Sequence, residues 1–384
     1  MRARFFAAAF AVGLTVLAGA ARADDYVTIR GAYYREPSTR VIQPTMEVER
    51  DDDSGLDVKA HFLVDTITSA SVSAGTSADS VFTETRNEAG LSLTKRFDRA
   101  SVGLGYKYSA ESDYWSHAIA ASASARLWGD TATVGVSLGL SFDSLSSRFR
   151  TPACAKPPST SCPLDSQFLG FSYTQILSPD ALLQVSLEGS YLDGFEGNLY
   201  RSVPNFGYEV VPDRRLRTAA AARFAYYFAE TDTTLRLGGR YYTDFGPGDR
   251  GSTDPWRIQS LTGEARLYQP VTRTLEVRLS YRQYWQTRAA FYCDTSMLGI
   301  QTEARCPDGG YAPDALYYST DPKLGRVVTK YPEVKLYWLA DAFEDVPILG
   351  WLSAGTFDIS YGRYIQSTSF GDAHVLQLGY TMPY

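Results

Sequence analysis

The sequence predicts an all-β fold, an antiparallel transmembrane barrel of about sixteen strands, and three observations predict it. Segments of about ten residues with alternating polarity recur along the chain, separated by turn-forming residues. After residue 23 no stretch is continuously apolar over about 18 residues, so spanning helices are excluded while spanning strands are not. The chain closes on Leu376, Leu378, Tyr380, Met382 and Tyr384 at period two, with Gln377, Gly379 and Thr381 between them, one face suited to lipid and the other to water.

The N-terminus reads as an address. Arg2 and Arg4 precede an apolar run from Phe5 to Leu17, and Ala21-Arg22-Ala23 forms an A-x-A cleavage site before Asp24-Asp25. The run is too short to cross a bilayer, so the expectation is a cleaved secretory signal over residues 1–23 and a barrel domain over 24–384. Removing 23 of 384 residues leaves 361, and the three arginines lost with them take the formal charge from −6 to −9. That acidity argues against nucleic acid as a partner. With 27 Tyr, 19 Phe and 31 Gly against four Met, the composition suits girdled, tightly turned β-structure. The expected location is the outer membrane of a Gram-negative cell, with its lipid and the barrel-assembly machinery as partners.

In order, the alternation places strands at Tyr26 to Arg35 and Val41 to Arg50, then Leu56 to Ala70 after the Asp51-Asp52-Asp53-Ser54-Gly55 turn. Thr83 to Phe97 and Ala100 to Ala110 follow, joined by little more than Asp98-Arg99, then Trp115 to Leu127 and Thr131 to Asp143 across Gly129-Asp130. The Thr131 segment is the cleanest: Val134, Val136, Leu138, Leu140 and Phe142 share one face, and Gly135, Ser137, Gly139, Ser141 and Asp143 the other. Further strands are read at Ser166 to Leu177, Ala181 to Tyr191, Arg215 to Phe228, Thr233 to Asp244, Trp256 to Tyr268, Thr274 to Ala289, Arg326 to Leu339 and Leu352 to Gln366, before the terminal strand. Sixteen strands in 361 residues allow roughly 22 to 23 residues each, enough for a strand, half a turn and half a loop. An even count of sixteen puts both termini and every short turn on the periplasmic side. It leaves no room for a plug ahead of Tyr26.

Four cysteines fall in two local pairs, Cys154 with Cys162 and Cys293 with Cys306, and two disulfides are the simplest reading in an exported chain. No His lies near either pair and neither spacing is a zinc motif, so no metal and no cofactor is expected. His61, His117 and His374 fall on three different strands with no Ser or Cys nucleophile placed beside them, and no enzymatic activity is expected. Asp51 to Asp53 is half a calcium loop without the later ligands, and Asp244-Phe245-Gly246 is a kinase tripeptide with no other kinase element.

The informative cluster is basic. In the inward phase of four consecutive strands stand Arg215, Arg217 and Arg223, then Arg236 and Arg240, then Arg266, then Arg278 and Arg282, against Asp244, Glu264 and Glu276. At a strand spacing of about 4.8 Å these would line one lumen wall as a ladder. Inward Tyr227, Tyr242, Tyr268 and Tyr284 interleave with them and offer faces for stacking a sugar or for packing between arginines. Ordinary ion pairing across the lumen is the competing use of the same arginines.

Gln377, Gly379, Met382 and Tyr384, read as polar-x-Gly-x-x-apolar-x-aromatic, resemble the C-terminal insertion signal of outer-membrane barrels. Tyr33-Tyr34-Arg35-Glu36-Pro37-Ser38-Thr39-Arg40 with Gln43-Pro44, followed by Phe62-Leu63-Val64-Asp65-Thr66-Ile67-Thr68-Ser69-Ala70, resembles a family of proteobacterial outer-membrane barrels of unknown function. That resemblance implies the fold and supplies no catalytic residue. In size and layout the chain is also similar to the plugless barrels that accompany polysaccharide-export systems. The functional expectation is a porin-like channel for hydrophilic solutes or an extended polymer, anionic or saccharide, with periplasmic export components as possible partners. The alternative is a structural or assembly barrel whose loops bind another protein. An outer-membrane enzyme is the third reading.

Overall fold

The computed structural model describes residues 25–69, 82–146, 154, 160–199, 202–203, 207–245, 256–293 and 317–384. The strands are β1 (Tyr26–Arg35), β2 (Thr39–Asp51), β3 (Leu56–Ser69), β4 (Phe82–Arg96), β5 (Ala100–Ala110), β6 (Tyr114–Leu127), β7 (Ala132–Leu145), β8 (Cys162–Ser178) and β9 (Ala181–Gly194). They continue with the two-residue β10 (Ser202–Val203) and β11 (Gly207–Tyr208), then β12 (Arg214–Phe228), β13 (Thr233–Phe245), β14 (Gln259–Pro270), β15 (Leu275–Gln286), β16 (Val327–Leu339), β17 (Thr356–Gln366) and β18 (Ala373–Pro383). All but β10 and β11 join one closed antiparallel barrel, sixteen strands in a ring, while those two form a separate small hairpin. All sixteen expected strands are present in the expected order.

Closure is complete because β18 pairs with β1 over ten residues, from Tyr26 opposite Pro383 to Arg35 opposite His374. No sheet edge is left to lipid, as an apolar medium demands of every backbone N–H and C=O. The seam is fastened at its lower end by Asp25. Its carbonyl accepts from the Tyr384 N–H at 3.0 Å, and its buried carboxylate accepts from the Asp51 N–H at 2.9 Å.

Alternation sorts each strand into two faces. Val102, Leu104, Leu138, Leu140, Leu187, Leu279 and Leu378 stand exposed on the outside, where hydrocarbon rather than water is their solvent. Inward, β5 to β8 carry small residues such as Gly103, Gly105, Ser122, Ser137, Gly139, Gly170 and Ser172. The charged residues gather on the other strands. Gly379 has a local reason: the Asp358 carboxylate lies across it, and a Cβ there would collide with that oxygen.

Three sequence-level expectations are corrected. The strand read from Trp256 begins at Gln259, and the strand read to Ala289 ends at Gln286, because Trp256 and Ala289 are taken into a buried cluster outside the barrel wall. The strand read from Leu352 begins at Thr356; the connection from β16 instead holds two short 3-10 turns, Ala340–Phe343 and Gly350–Leu352. Short connections are not confined to the periplasmic end: residues 36–38 and 111–113 join strands at the opposite end, because a tight turn only needs neighbouring strands. The longest connections between barrel strands, 195–213 and 287–326, lie at that same end, which in bacterial barrels faces outside.

Candidate functional site

The arginine wall forms where β12 to β15 meet three loops. Strand registry fixes it: Arg217 lies opposite Asp244, Arg236 opposite Arg266, and Glu264 opposite Arg282. All eight arginines are in the inward phase, yet their surroundings divide them into three groups.

Arg215 and Arg217 are held. The Nη2 of Arg215 donates to Asp244 Oδ2 at 2.6 Å and its Nε donates to the same oxygen at 3.0 Å. Its guanidinium lies 4.0 Å over the Trp256 ring. Glu196, from the loop after β9, accepts from Arg215 at 3.4 Å and from Arg217 at 3.3 Å. The Asp244 side chain is fully enclosed, and Glu196 is 3% exposed with its second oxygen unpartnered. Burial pushes the Glu196 carboxyl above the usual carboxylate range, against the pull of Arg215 and Arg217.

A second group pairs with carboxylates of strands, Arg240 and Arg266 in a wetter setting and Arg278 in an enclosed one. Arg240 meets Glu188 of β9 at 3.5 Å, Arg266 meets Glu264 at 2.7 Å, and Arg278 is bound by Glu333 of β16 and donates to the Tyr337 hydroxyl at 3.1 Å. The third group, among the described residues, has no carboxylate. Arg223 donates to Gln184 at 3.3 Å, Arg236 lies 4.8 Å over the Tyr268 ring, and Arg282 has no ion pair. Glu188, Glu196 and Glu333 come from outside the four strands, so the excess of positive charge is smaller than a count over β12 to β15 alone suggests. The network continues around the lumen as Lys335 to Asp358 at 2.7 Å and Arg30 to Asp358 at 3.4 Å.

The tyrosines do not form one set. Tyr242 is bonded to Asp244 and packs against the cluster of Trp256, Ile258, Ala289 and Phe291; Tyr284 donates to Gln286 at 2.5 Å. Tyr227 lies lower on its strand, where its hydroxyl donates to Asp232 at 2.6 Å. That cluster is a cap of loop residues over the wall. Val210 and Tyr318 exchange backbone hydrogen bonds across it. Between cap and wall lies a cavity of about 580 Å³ lined by Glu196, Arg215, Arg240, Tyr242, Trp256 and Tyr284 among others. The cap escaped sequence reading, although the aromatic and Pro-containing loop around Trp256 was a signal that it packs.

Cys154 and Cys162 are bridged, with their Cα atoms 5.5 Å apart. Cys293 is disulfide-bonded, and Cys306 lies outside the described residues. The signal segment 1–23 also lies outside them. His61 bonds Glu88 at 3.3 Å inside the lumen, while His117 and His374 bond Tyr106 at 2.8 Å and Tyr361 at 2.7 Å on the outer face. One carboxylate trio among the described residues, Glu84, Glu111 and Asp113, brings oxygens within 4.8 Å. Burial raises the Glu111 carboxyl, and one Glu84 oxygen already accepts from the Ser112 N–H.

The fold has solved relatives. "Bacterial polysaccharide outer membrane secretin" aligns at TM-score 0.52 and 9% identity, over 94% of this chain and 98% of that one. CdiB from Acinetobacter baumannii aligns at TM-score 0.51 and 9% identity, over 94% of this chain and 61% of that one. A BenF-like porin from Pseudomonas fluorescens Pf-5 gives TM-score 0.45 and 9% identity, over 94% and 98% of the two chains. At these identities the likeness is one of fold, that of an outer-membrane barrel. No curated protein matches the chain. The family described as "Protein of unknown function (DUF3570)" matches residues 68–157 and 165–338, more than half of the chain, and the protein belongs to that family.

Proposed function

We propose that the protein is a passive outer-membrane channel for hydrophilic solutes, with small anions or acidic saccharides favoured, and that it has no catalytic role and needs no cofactor. The observation that carries this reading is the third group of arginines. Arg223, Arg236 and Arg282 stand in the inward phase with no ion pair among the described residues, Glu264 opposite Arg282 being taken by Arg266. Guanidinium groups left unpaired in a water-filled lumen cost little, because water solvates them and salt screens their repulsion beyond about 8 Å. Low-dielectric walls focus the remaining field and raise the local concentration of anions. The small inward residues of β5 to β8 support the same reading by leaving room.

The saccharide preference rests on the tyrosines near those arginines. An acidic polymer moving toward the cell surface is the form of it that fits polysaccharide export, with a periplasmic component delivering the chain. The reading includes removal of residues 1–23 on export and insertion by the barrel-assembly machinery.

Planar-bilayer recording in a salt gradient tests it. The wild type should conduct with a reversal potential on the anion side, and the triple variant Arg223→Gln, Arg236→Gln, Arg282→Gln should move that potential toward cation preference, most at low salt. Absence of conductance from correctly folded protein, or an unmoved reversal potential, would overturn the proposal.

A further inference from the structure

The lipid-facing phase of a barrel strand carries few charges, and those it carries are unevenly placed here. At the loop-rich end, five consecutive strands of the ring each carry a cation or a histidine within their last two outward positions: Lys330 on β16, Arg363 on β17, His374 on β18, Arg35 on β1 and Arg40 on β2. Four of them form one lateral row, since Arg363 lies opposite His374, His374 opposite Arg35, and Arg35 opposite Arg40. Lys330 stands beside the row, opposite Ile365. All five are exposed. At strand spacing the four-residue row spans roughly 14 Å. Elsewhere on the described strands the outward cation at this end, Arg214 of β12, meets a carboxylate, Asp193 of β9 at 3.8 Å, which itself lies opposite Asp165 of β8.

The row continues the apolar face. One outward step below it stand Leu376, Tyr361, Tyr33 and Ile42, and below those Leu378 and Ile359, so the cations sit where hydrocarbon gives way to headgroups. Like charges directly opposite on neighbouring strands are unfavourable. Arg35 and Arg40 are such a pair, and neither has a carboxylate partner among the described residues. The turn between them does hold a carboxylate, Glu36, but it accepts from Tyr34 at 2.7 Å and from Ser38 at 3.4 Å. Two members of the row are instead held in place: Arg363 donates to Asp372 at 2.9 Å, and His374 bonds the Tyr361 hydroxyl. The turns above, residues 36–38 and 367–372, are short and leave the row uncovered.

We propose that this row binds the phosphate groups of an outer-leaflet lipid, a phosphorylated headgroup whose acyl chains lie along the apolar stripe below. Arg35 and Arg40 supply the fork-shaped donors that phosphate oxygens accept bidentately. Acyl chains on the stripe and phosphate on the row distinguish such a lipid from a free anion, which would meet only the row.

The test uses the full folded barrel in neutral detergent, with bis-phosphorylated lipid A as the probe and native mass spectrometry as the readout. Bis-phosphorylated lipid A should bind at least tenfold tighter than its dephosphorylated form. The double variant Arg35→Gln, Arg40→Gln should lose at least tenfold, the single variant Arg40→Gln should lose less, and Arg50→Gln, an outward cation at the opposite end of β2, should bind as wild type does. Inorganic phosphate at the same total phosphate should not displace the lipid. Equal binding of the dephosphorylated lipid, undiminished binding by both row variants, or full displacement by inorganic phosphate would overturn the assignment. Heat-modifiable migration of each variant establishes folding independently of lipid.

Discussion

The eight inward arginines are one residue type in one phase, yet what each does is decided by its partners. Arg215 is the clearest case, because its removal leaves Asp244 enclosed without its cation while Glu196 keeps Arg217. Breaking a buried pair from one side costs about 3–5 kcal/mol. Arg215→Ala should therefore weaken the cap by that amount, read as faster amide exchange in residues 207–213 and 256–258 while the barrel still migrates as folded. Arg223→Ala removes a single exposed bond to Gln184 and should change the same exchange by less than about 0.5 kcal/mol. Glu196 adds a pH dependence. Its folded pKa is raised by burial, so the folded cap binds its proton more tightly than the unfolded loop does. Its contribution is fully present below the unfolded value and is lost as pH rises through the folded one. Glu196→Gln mimics the protonated group, so the variant's advantage over wild type in cap protection should grow from acid pH to neutral. An advantage that shrinks toward neutral pH would show the sign to be wrong.

Among the elements, the strands are the legible part and the loops the illegible one. A strand between lipid and lumen must alternate, and alternation is a local property; Val134 to Phe142 displays it without help from the rest of the chain. Trp256 and Ala289 alternate acceptably with their neighbours too, so the local pattern alone extends strands to them. They leave the wall because Phe291 packs on Trp256 edge-on at 5.0 Å, a contact between residues 35 positions apart. The disulfide loop shows how little an outer element contributes to the wall. Cys162 is the first residue of β8, opposite Leu145, and its bridge to Cys154 spans a sequence separation of only 8. Chain-entropy reasoning gives at most about 3 kcal/mol for so short a loop. Reduction should leave heat-modifiable gel migration intact and speed proteolysis near Cys154; loss of the folded band would contradict this.

At the scale of the whole molecule, the barrel stands on closure. Deleting Tyr384 removes the N–H that meets the Asp25 carbonyl and the aromatic residue of the proposed insertion signal, while the ten β1–β18 pairs remain. Insertion should fall several-fold, with the inserted fraction still heat-modifiable, since the strand that closes the ring is present. Unchanged levels of folded protein in outer-membrane fractions would count against a role for the terminal residue.

The sequence by itself determined the strand number, the strand order and the two faces of every strand, because period-two alternation and turn chemistry act within a few residues. It also placed every arginine of the wall in the inward phase and put the terminal strand at the seam. Only the tertiary structure decided which arginines are held by carboxylates, since Glu188, Glu196 and Glu333 reach them from other strands and loops. It alone assembled the loop cap, and it alone brought Arg35, Arg40, Arg363 and His374 into one row. The physical reason is common to all three: strand pairing and loop packing make neighbours of residues distant in sequence, more than 300 positions apart where the ring closes, and no local pattern records which charges will be set side by side.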